Sequence, residues 1–132
     1  MSAMIEQAIK TALGTLSGLP VYPLLLPDPV QEGVTFQRIS DPEMDNGLVR
    51  TGLIAGRFQI SLYRLNDYTA LVELDRAIWS AWRGIRQGEI AGYPVQYVER
   101  GGIQQSCVTL TSNQVQYRLV RDFIIYFSEG TS

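Results

Sequence analysis

The segment that follows Asn66 and Asp67 constrains the fold most, because its apolar residues repeat with helical spacing. Both residues suit a helix N-terminus, and the pattern continues to about Arg86, just before Gly88. One stripe predicts the core face of this helix and consists of Leu71, Leu74, Ile78, Trp82 and Ile85. A second stripe consists of Tyr68, Val72, Asp75 and Trp79 and continues through Arg83 and Arg86. Together the stripes exceed the buried face of a normal surface helix, so this helix needs cover on two sides.

The second stripe leaves two interpretations open. In the first, the same domain covers it and Asp75 pairs with an inward-facing arginine, for which Arg121 on the last strand is the natural partner. A carboxylate near a core is tolerated only when it is paired and hydrogen-bonded. In the second, Trp79 lies at a contact between subunits. Burying a Trp removes roughly 150 to 250 Å² from water at about 25 cal/mol per Å², so we expect some surface to cover Trp79.

The rest of the chain reads as one further helix and several strands. An amphipathic helix is predicted from Met4 to Leu16, ended by Gly18 and Pro20. Val21 to Leu26 is predicted to be a proline-rich edge strand or a rigid extended segment. Tyr93 to Glu99 and Ile103 to Leu110 are predicted to form a hairpin around Gly101-Gly102. The other predicted strands are Val34 to Ser40, Arg57 to Arg64 and Tyr117 to Phe127. Residues Asp41 to Gly56, which include Asn46-Gly47, are predicted to form a long hairpin tip or a mobile loop.

This order of elements predicts the fold class. Strands grouped between helices, without a regular strand–helix alternation, indicate an α+β fold. We expect one domain over residues 1–132, with a mainly antiparallel sheet of about five to six strands packed against two helices and a long hairpin or loop. The last strand, Tyr117 to Phe127, is apolar on both faces near its end and is predicted to lie centrally.

Composition disfavours most catalytic and metal chemistry. The chain has no His and a single Cys107, which is expected to be a small core residue, so we predict no metal site, no cofactor and no catalytic residues. The formal charge is −2, and the basic residues are scattered among acids, which argues against direct nucleic-acid recognition. No segment has the length of apolar sequence that spans a bilayer, and no secretory signal is visible, so a cytosolic, reduced protein is expected.

Two catalytic alternatives carry little weight. Carboxylates cluster in one loop-rich half, at Asp28, Glu32, Asp41, Glu43 and Asp45, but loop acids are usually solvated. A cofactor-free enzyme of small α+β dimer type would use Tyr63, Tyr93, Tyr97 or an Arg of the sheet face. Seven tyrosines more plainly serve packing and interfaces, and ten Arg against one Lys also favour an assembling protein. The residues alone therefore predict an α+β domain that self-associates.

The order of several segments carries a resemblance to a known family. These segments are Val21-Tyr22-Pro23, Phe36 to Ser40, Arg57 to Tyr63 leading into Asp67-Tyr68 and the long helix, and the closing Tyr117 to Phe123. In this order the chain resembles the tail completion, or tail terminator, proteins of long-tailed phages and prophages. The resemblance covers nearly the whole chain and rests on packing patterns.

The resemblance implies a non-enzymatic virion protein that forms a ring, commonly of six copies, at the head-proximal end of the tail tube. Such a ring stops tube polymerisation and offers a surface for head joining, so its partners are the tail tube protein and head–tail connector proteins. It implies assembly in the host cytoplasm and a place in the virion tail. A related connector or minor tail protein is the alternative of the same class.

The residues that would carry the contacts are a prediction from chemistry. A ring needs two different complementary patches per subunit. The predicted interface residues are Asp45, Asn46, Arg50 and Arg57 around the hairpin, with Trp79 and Arg83 on the helix.

Overall fold

The computed structural model describes residues 4–46 and 49–129, and within them the side chains outside 45–51. The elements are α1 (Ile5–Ser17), β1 (Val21–Pro23), β2 (Gly33–Ser40), β3 (Glu43–Asn46), β4 (Val49–Leu65), α2 (Tyr68–Trp82), β5 (Arg86–Ile90), β6 (Tyr93–Thr109) and β7 (Val115–Ser128). The predicted α+β class is therefore confirmed. The described sheet has seven strands, against the five to six expected.

The strands form one sheet in the order β1-β2-β4-β7-β6-β5, with β3 also paired to β4. Five of the described pairings are antiparallel and one, β1 with β2, is parallel, so the sheet is mixed but mainly antiparallel. The last strand β7 lies between β4 and β6, which confirms its predicted central position. Since β2 and β3 both pair with β4, the two short strands run along one side of it, broken at Asp41 and Pro42.

Both helices cover the same face of the sheet. The α2 helix packs on the central strands β4 and β7, while α1 contacts β1, β2, β5 and α2. Because β2 and β5 are far apart in the strand order, their shared contact with α1 shows that the sheet curls around the helices. The largest fully buried side chains include Phe58 on β4, Phe123 and Phe127 on β7 and Ile9 on α1.

Local sequence explains the helix boundaries. The Asp67 side chain accepts a hydrogen bond from the amide of Ala70, which caps α2 as predicted. The neighbouring Asn66 does not cap the helix; its backbone is left-handed, and its side-chain oxygen accepts from the amide of Val115 on β7. Helix α1 ends at Gly18, whose φ of 67° is the left-handed C-terminal turn expected there.

The expectation that α2 reaches Arg86 is wrong. The helix ends at Trp82, and Arg86 begins β5, in which it lies opposite Tyr97 of β6. Ile85 and Arg86 keep the helical spacing of the apolar stripes, although they lie past the end of the helix. A pattern of period 3.6 carries no information about a neighbouring strand that pairs with the same residues. The β5–β6 turn falls at Ala91 and Gly92, both with positive φ, as a tight hairpin requires.

The expectation of a hairpin at Gly101-Gly102 is also wrong. The two glycines lie within the single long strand β6 and form a β-bulge, since Arg100 pairs with Phe123 and Ile103 already pairs with Arg121. A Cβ on Gly101 would lie 3.0 Å from Cβ and 3.2 Å from the carbonyl oxygen of Asp122, so the bulge brings two backbones close together. The glycines thus bend the strand without reversing it.

Three predictions about single residues or segments had different outcomes. Cys107 is exposed on β6, contrary to its expected place in the core, because β5 ends opposite Tyr97 and this half of β6 has a described strand, β7, on one side alone. The stretch from Asp41 to Gly56 does form a hairpin, built from β3 and the first half of β4. Its central residues 47 and 48 lie outside the described residues. Val21 lies in β1 at the sheet edge, as predicted.

Candidate assembly surfaces

Asp75 of α2 and Arg121 of β7 form the ion pair that the sequence predicts. The guanidinium donates from Nη2 to Oδ2 at 2.8 Å and from Nε to Oδ1 at 3.1 Å, and the two side chains are only 8% and 11% exposed. A third donor of Arg121, Nη1, lies 3.3 Å from the carbonyl oxygen of Gly101. Hydrogen bonds between charged groups are stronger than those between neutral groups. Arg121 therefore links α2, through Asp75, to the bulged part of β6, through Gly101.

Trp79 lies one turn from Asp75 and is half-buried by its own domain. Its ring stacks on Phe123 at a centroid distance of 6.2 Å and an interplanar angle of 28°. The guanidinium carbon of Arg100 lies 5.2 Å from the ring centroid, in a cation–π contact. The domain therefore supplies part of the cover that Trp79 needs, and its place in a subunit contact stays a prediction. Arg83 is exposed and is the C-cap residue, just past the end of α2.

Arg57 lies on the opposite face of the sheet, away from both helices. Its Nε donates to Asp122 of β7 at 3.1 Å, while half of the Arg57 side chain remains exposed. A shallow, polar depression surrounds this pair and is also lined by Gln59, Gly102, Ile103, Gln104 and Val120. Arg57 and Trp79 therefore belong to different surfaces of the molecule.

The predicted interface residues of the β3–β4 hairpin lie at a third place on the molecule. We call the β3–β4 hairpin, residues 43–54, the arm. Within it Asp45 pairs with Arg50 and Asn46 with Val49 along the backbone, while the side chains of these predicted interface residues lie outside the described part of the structure. Strand β4 meets β7 only from Leu53 onward, so residues 49–52 have β3 as their one described neighbour. The arm extends beyond the body of the sheet.

A fourth surface, which the sequence analysis missed, is the open edge of β6. Strand β5 covers only the first part of β6, up to Tyr97, and residues 99–109 are all exposed. The amide of Leu110 donates to the carbonyl of Gln114 at the β6–β7 turn. In an antiparallel ladder alternate residues bond across, so Gln104, Ser106 and Val108 bond to β7.

The intervening residues face outward. Ile103, Gln105, Cys107 and Thr109 point their amides and carbonyls away from β7, toward a side where the described residues place no strand. The hydrogen bond from the Val115 amide to Asn66 supports this assignment, because Val115 is the partner of Thr109 and its own amide likewise points away from β6. We call this outward side of residues 103–109 the β6 edge.

The β6 edge lacks the features that usually prevent strand addition. Exposed strand edges are commonly blunted by charge, proline or short length. Pro23 ends the three-residue β1, and β5 carries Arg86 and Glu89. From Gly101 to Thr109, by contrast, the sequence holds no charged residue and no proline, and Ile103 and Val108 are large apolar side chains, 46% and 51% exposed. Within the described residues 101–109, the bulge at one end is the feature that opposes strand addition.

Arg38 lies at the centre of a cluster of charged and aromatic side chains, which we call the Arg38 cluster. Arg38 of β2 contacts Glu6 at 2.8 Å, Asp41 at 3.1 Å and Glu129 at 3.3 Å, and its guanidinium also lies over the rings of Phe58 and Phe127. Burial lowers the pKa of Arg38, but the hydrogen bond to Asp41 and the charges of Glu6 and Glu129 outweigh burial, so the pKa is raised. Arg38 stays charged and joins α1 to β2.

Two of the carboxylates considered for acid–base chemistry, Asp41 and Glu32, have structural partners. Asp41 belongs to the Arg38 cluster, and Glu32 accepts from the amide of Leu65 at 2.9 Å and lies 3.4 Å from Nε of Arg64. Within residues 4–46 and 49–129 no group of three or more carboxylate or Cys side chains has the arrangement of a metal site. Neither described helix has the length and apolar content of a membrane span.

Two of the described tyrosines, Tyr93 and Tyr126, also hold structural hydrogen bonds. Tyr93 donates from its hydroxyl to the carbonyl oxygen of Ser128 at 3.0 Å, and burial is the first cause of its raised pKa. Tyr126 donates to Glu99, a bond that raises the pKa of the Tyr126 phenol together with burial. Both phenols therefore hold their protons through the neutral range.

The structure distributes the six predicted interface residues over three surfaces: the arm, the outer sheet face and the helix face. The signal for the missed β6 edge was present in the sequence, since no charged residue occurs between Arg100 and Arg118. Reading Gly101-Gly102 as a turn concealed it, because a hairpin would have paired the two halves of this strand with each other.

Comparison with known proteins gives a likeness to a solved structure. No protein-family model matches the chain, and no curated protein matches it. Among solved structures, it is similar to a chain in a structure described as the virion of native gene transfer agent (GTA) particle, with a TM-score of 0.59 and 14% identity. The match covers 92% of this chain and 91% of that chain. At this identity the likeness shows a shared fold over nearly the full length of both chains.

Proposed function

We propose that this protein is a structural, non-enzymatic virion protein of the tail terminator type. In this proposal six copies form a ring at the head-proximal end of a tail tube, stop its polymerisation and present a surface to the head–tail connector. The observation that carries the proposal is the shared fold with a chain of a gene transfer agent virion, over nine-tenths of both chains. The family resemblance of the sequence supports the finer assignment to the tail end.

The separate surfaces also support a ring. A closed ring is built from a heterologous contact, in which two different patches of each subunit meet. The arm and the β6 edge lie on different strands of the sheet, and Trp79 and Arg83 add a helix surface. An isologous dimer would need only one patch that is complementary to itself.

The first experiment is native mass by sedimentation over a wide concentration range, followed by negative-stain imaging. We expect a species of six times the 14.8 kDa chain mass that images as a closed ring. A compact dimer would contradict the ring and favour the small α+β enzyme instead.

Capping is then tested by adding the protein to polymerising tail tube protein, for which we expect shortened tubes with the ring at one end. Tubes of unchanged length would contradict the terminator role and favour a connector.

A charge reversal tests the arm. Arg50→Glu is expected to weaken ring formation or tube capping, because the arm is the predicted contact. Lys10→Glu is the matched control, since Lys10 is exposed on α1, away from the arm. Equal behaviour of the two variants would remove Arg50 from the interface.

A further inference from the structure

We propose that the β6 edge is the acceptor site of the ring contact, and that the neighbouring copy adds the outer strand of its arm to this edge. This inference rests on the proposed ring and names the contact that closes it. It assigns the recognition to backbone hydrogen bonds, with the side chains of the two strands setting the register.

The acceptor half of this contact follows from the hydrogen-bonding capacity of the edge. Ile103, Gln105, Cys107 and Thr109 each direct one amide and one carbonyl outward, in an alternating row that matches an added antiparallel strand. The exposed apolar side chains of Ile103 and Val108 lie on opposite faces of this row. A strand that joined the edge would therefore gain backbone bonds and cover one apolar side chain on each face.

The donor half follows from the demands of a ring. Pairing of two β6 edges with each other would be isologous and would end at two copies, so a ring requires a different strand from the neighbour. The arm is the described hairpin that extends past the body of its own sheet. A strand at its outer side reaches a neighbour without disrupting the sheet from which it comes.

Charge favours this pairing of surfaces. The β6 edge is uncharged, so adding a strand desolvates no ion there. Two basic residues flank it, Arg100 at the bulge and Arg118 on β7 opposite Ser106. The outer strand of the arm carries Glu43 and Asp45 and is acidic. Opposite charge at the margins of a contact steers association and suppresses the wrong register.

A proline substitution tests the edge. Cys107→Pro removes one outward amide and leaves the β7 ladder intact, because the ladder uses the even-numbered residues. Cys107→Ala is the matched control, since it also removes the thiol but keeps the amide. We expect the alanine variant to form rings like the natural chain, and the proline variant to need at least about tenfold more protein for assembly.

Three outcomes separate the inference from the proposed function. If both variants and the natural chain form rings equally, the β6 edge is not the contact, and the inference fails while the ring stands. If the natural chain forms no ring alone or with tail tubes, the proposed function fails as well. To exclude misfolding, amide hydrogen exchange of the natural chain is compared between monomer and ring. Protection of Gln105 and Thr109 only in the ring supports the inference, and unchanged exchange overturns it.

Cross-linking identifies the donor strand. Met44→Cys places a thiol on the arm, and the natural Cys107 lies on the β6 edge. Oxidation of assembled rings is expected to join Cys107 of one copy to the introduced thiol of the next, in ladders of up to six chains. In the natural chain, a Cys107–Cys107 dimer that forms as readily as those ladders would overturn the arm as the occupant, because it indicates edge-to-edge pairing.

Discussion

Removing Asp75 tests the argument that a buried ion pair holds α2 on the sheet. In Asp75→Ala the guanidinium of Arg121 loses two of its three described hydrogen bonds and keeps the one to Gly101. The Arg121 side chain is only 11% exposed, so water replaces the carboxylate poorly. Breaking a buried pair from one side costs about 3–5 kcal/mol, which we expect as the loss in free energy of unfolding.

The assay is urea unfolding followed by circular dichroism and Trp fluorescence, with a thermal melt as a second reading. A loss of this size lowers Tm by roughly 10–20 °C for a domain of this length. Replacing both partners, as Asp75→Leu with Arg121→Met, removes the unpaired charge and is expected to recover most of the loss. Asp122→Ala is the control, because the cation that it leaves without a partner, Arg57, is 52% exposed and stays solvated, and it is expected to cost about 0–1 kcal/mol.

The reasoning is refuted if Asp75→Ala costs less than about 1 kcal/mol, the range of exposed pairs. It is also refuted if the double replacement is as unstable as the single one, because the deficit would then come from lost packing and not from the stranded charge. Equal m-values across the series are needed, so that the comparison reports stability and not a change in the unfolded state.

Three further substitutions test other parts of the fold. Gly101→Ala is expected to lower the free energy of unfolding by about 1–3 kcal/mol in urea titrations, through the close approach at the bulge, whereas Gly102→Ala, whose Cβ would meet nothing within 4 Å, stays near neutral; equal losses would contradict the bulge geometry. Asp67→Ala removes the helix cap and is expected to lower the free energy of unfolding by about 1 kcal/mol. Asp67→Ser is expected to keep most of the stabilisation, because Ser is also a favoured N-cap residue. The pKa of Tyr126 is raised in the folded state, so its hydrogen bond to Glu99 stabilises the fold below about pH 10, and this stability is lost as pH rises through the folded pKa. In thermal melts taken at increasing pH, Tyr126→Phe should reduce the fall of Tm with pH. An unchanged dependence of Tm on pH would contradict the assignment.

The sequence predicted best those features in which local pattern and tertiary packing agree. Helix α1 was expected from Met4 to Leu16 and lies at Ile5–Ser17, since its apolar face and its glycine stop are both local signals. The pairing of Asp75 with Arg121 was predictable because each is a charged residue within an apolar stripe. The central place of β7 followed from its two apolar faces.

The errors arose where long-range pairing overrides a local signal. The residues of β5 continue the helical spacing of α2, and only their pairing with β6 identifies them as a strand. Gly101-Gly102 has the composition of a turn, yet the long partner β7 holds both halves of β6 in one line. The arm was recognised as a hairpin from Asn46-Gly47, and the interface residues assigned to it stay predictions, because their side chains lie outside the described part of the structure.

The central position of β7 affects how the chain comes together during synthesis. This strand is the last of the described elements to leave the ribosome, and it pairs with β4, made more than fifty residues earlier, and with β6. Until β7 emerges, β4 and β6 have no strand between them, and α2 has no Arg121 to hold its Asp75. Because closing long chain segments is slow, the nascent sheet waits as two separate halves with exposed edges. During this interval the exposed edges of one chain can pair with those of another, before each chain receives its own final strand.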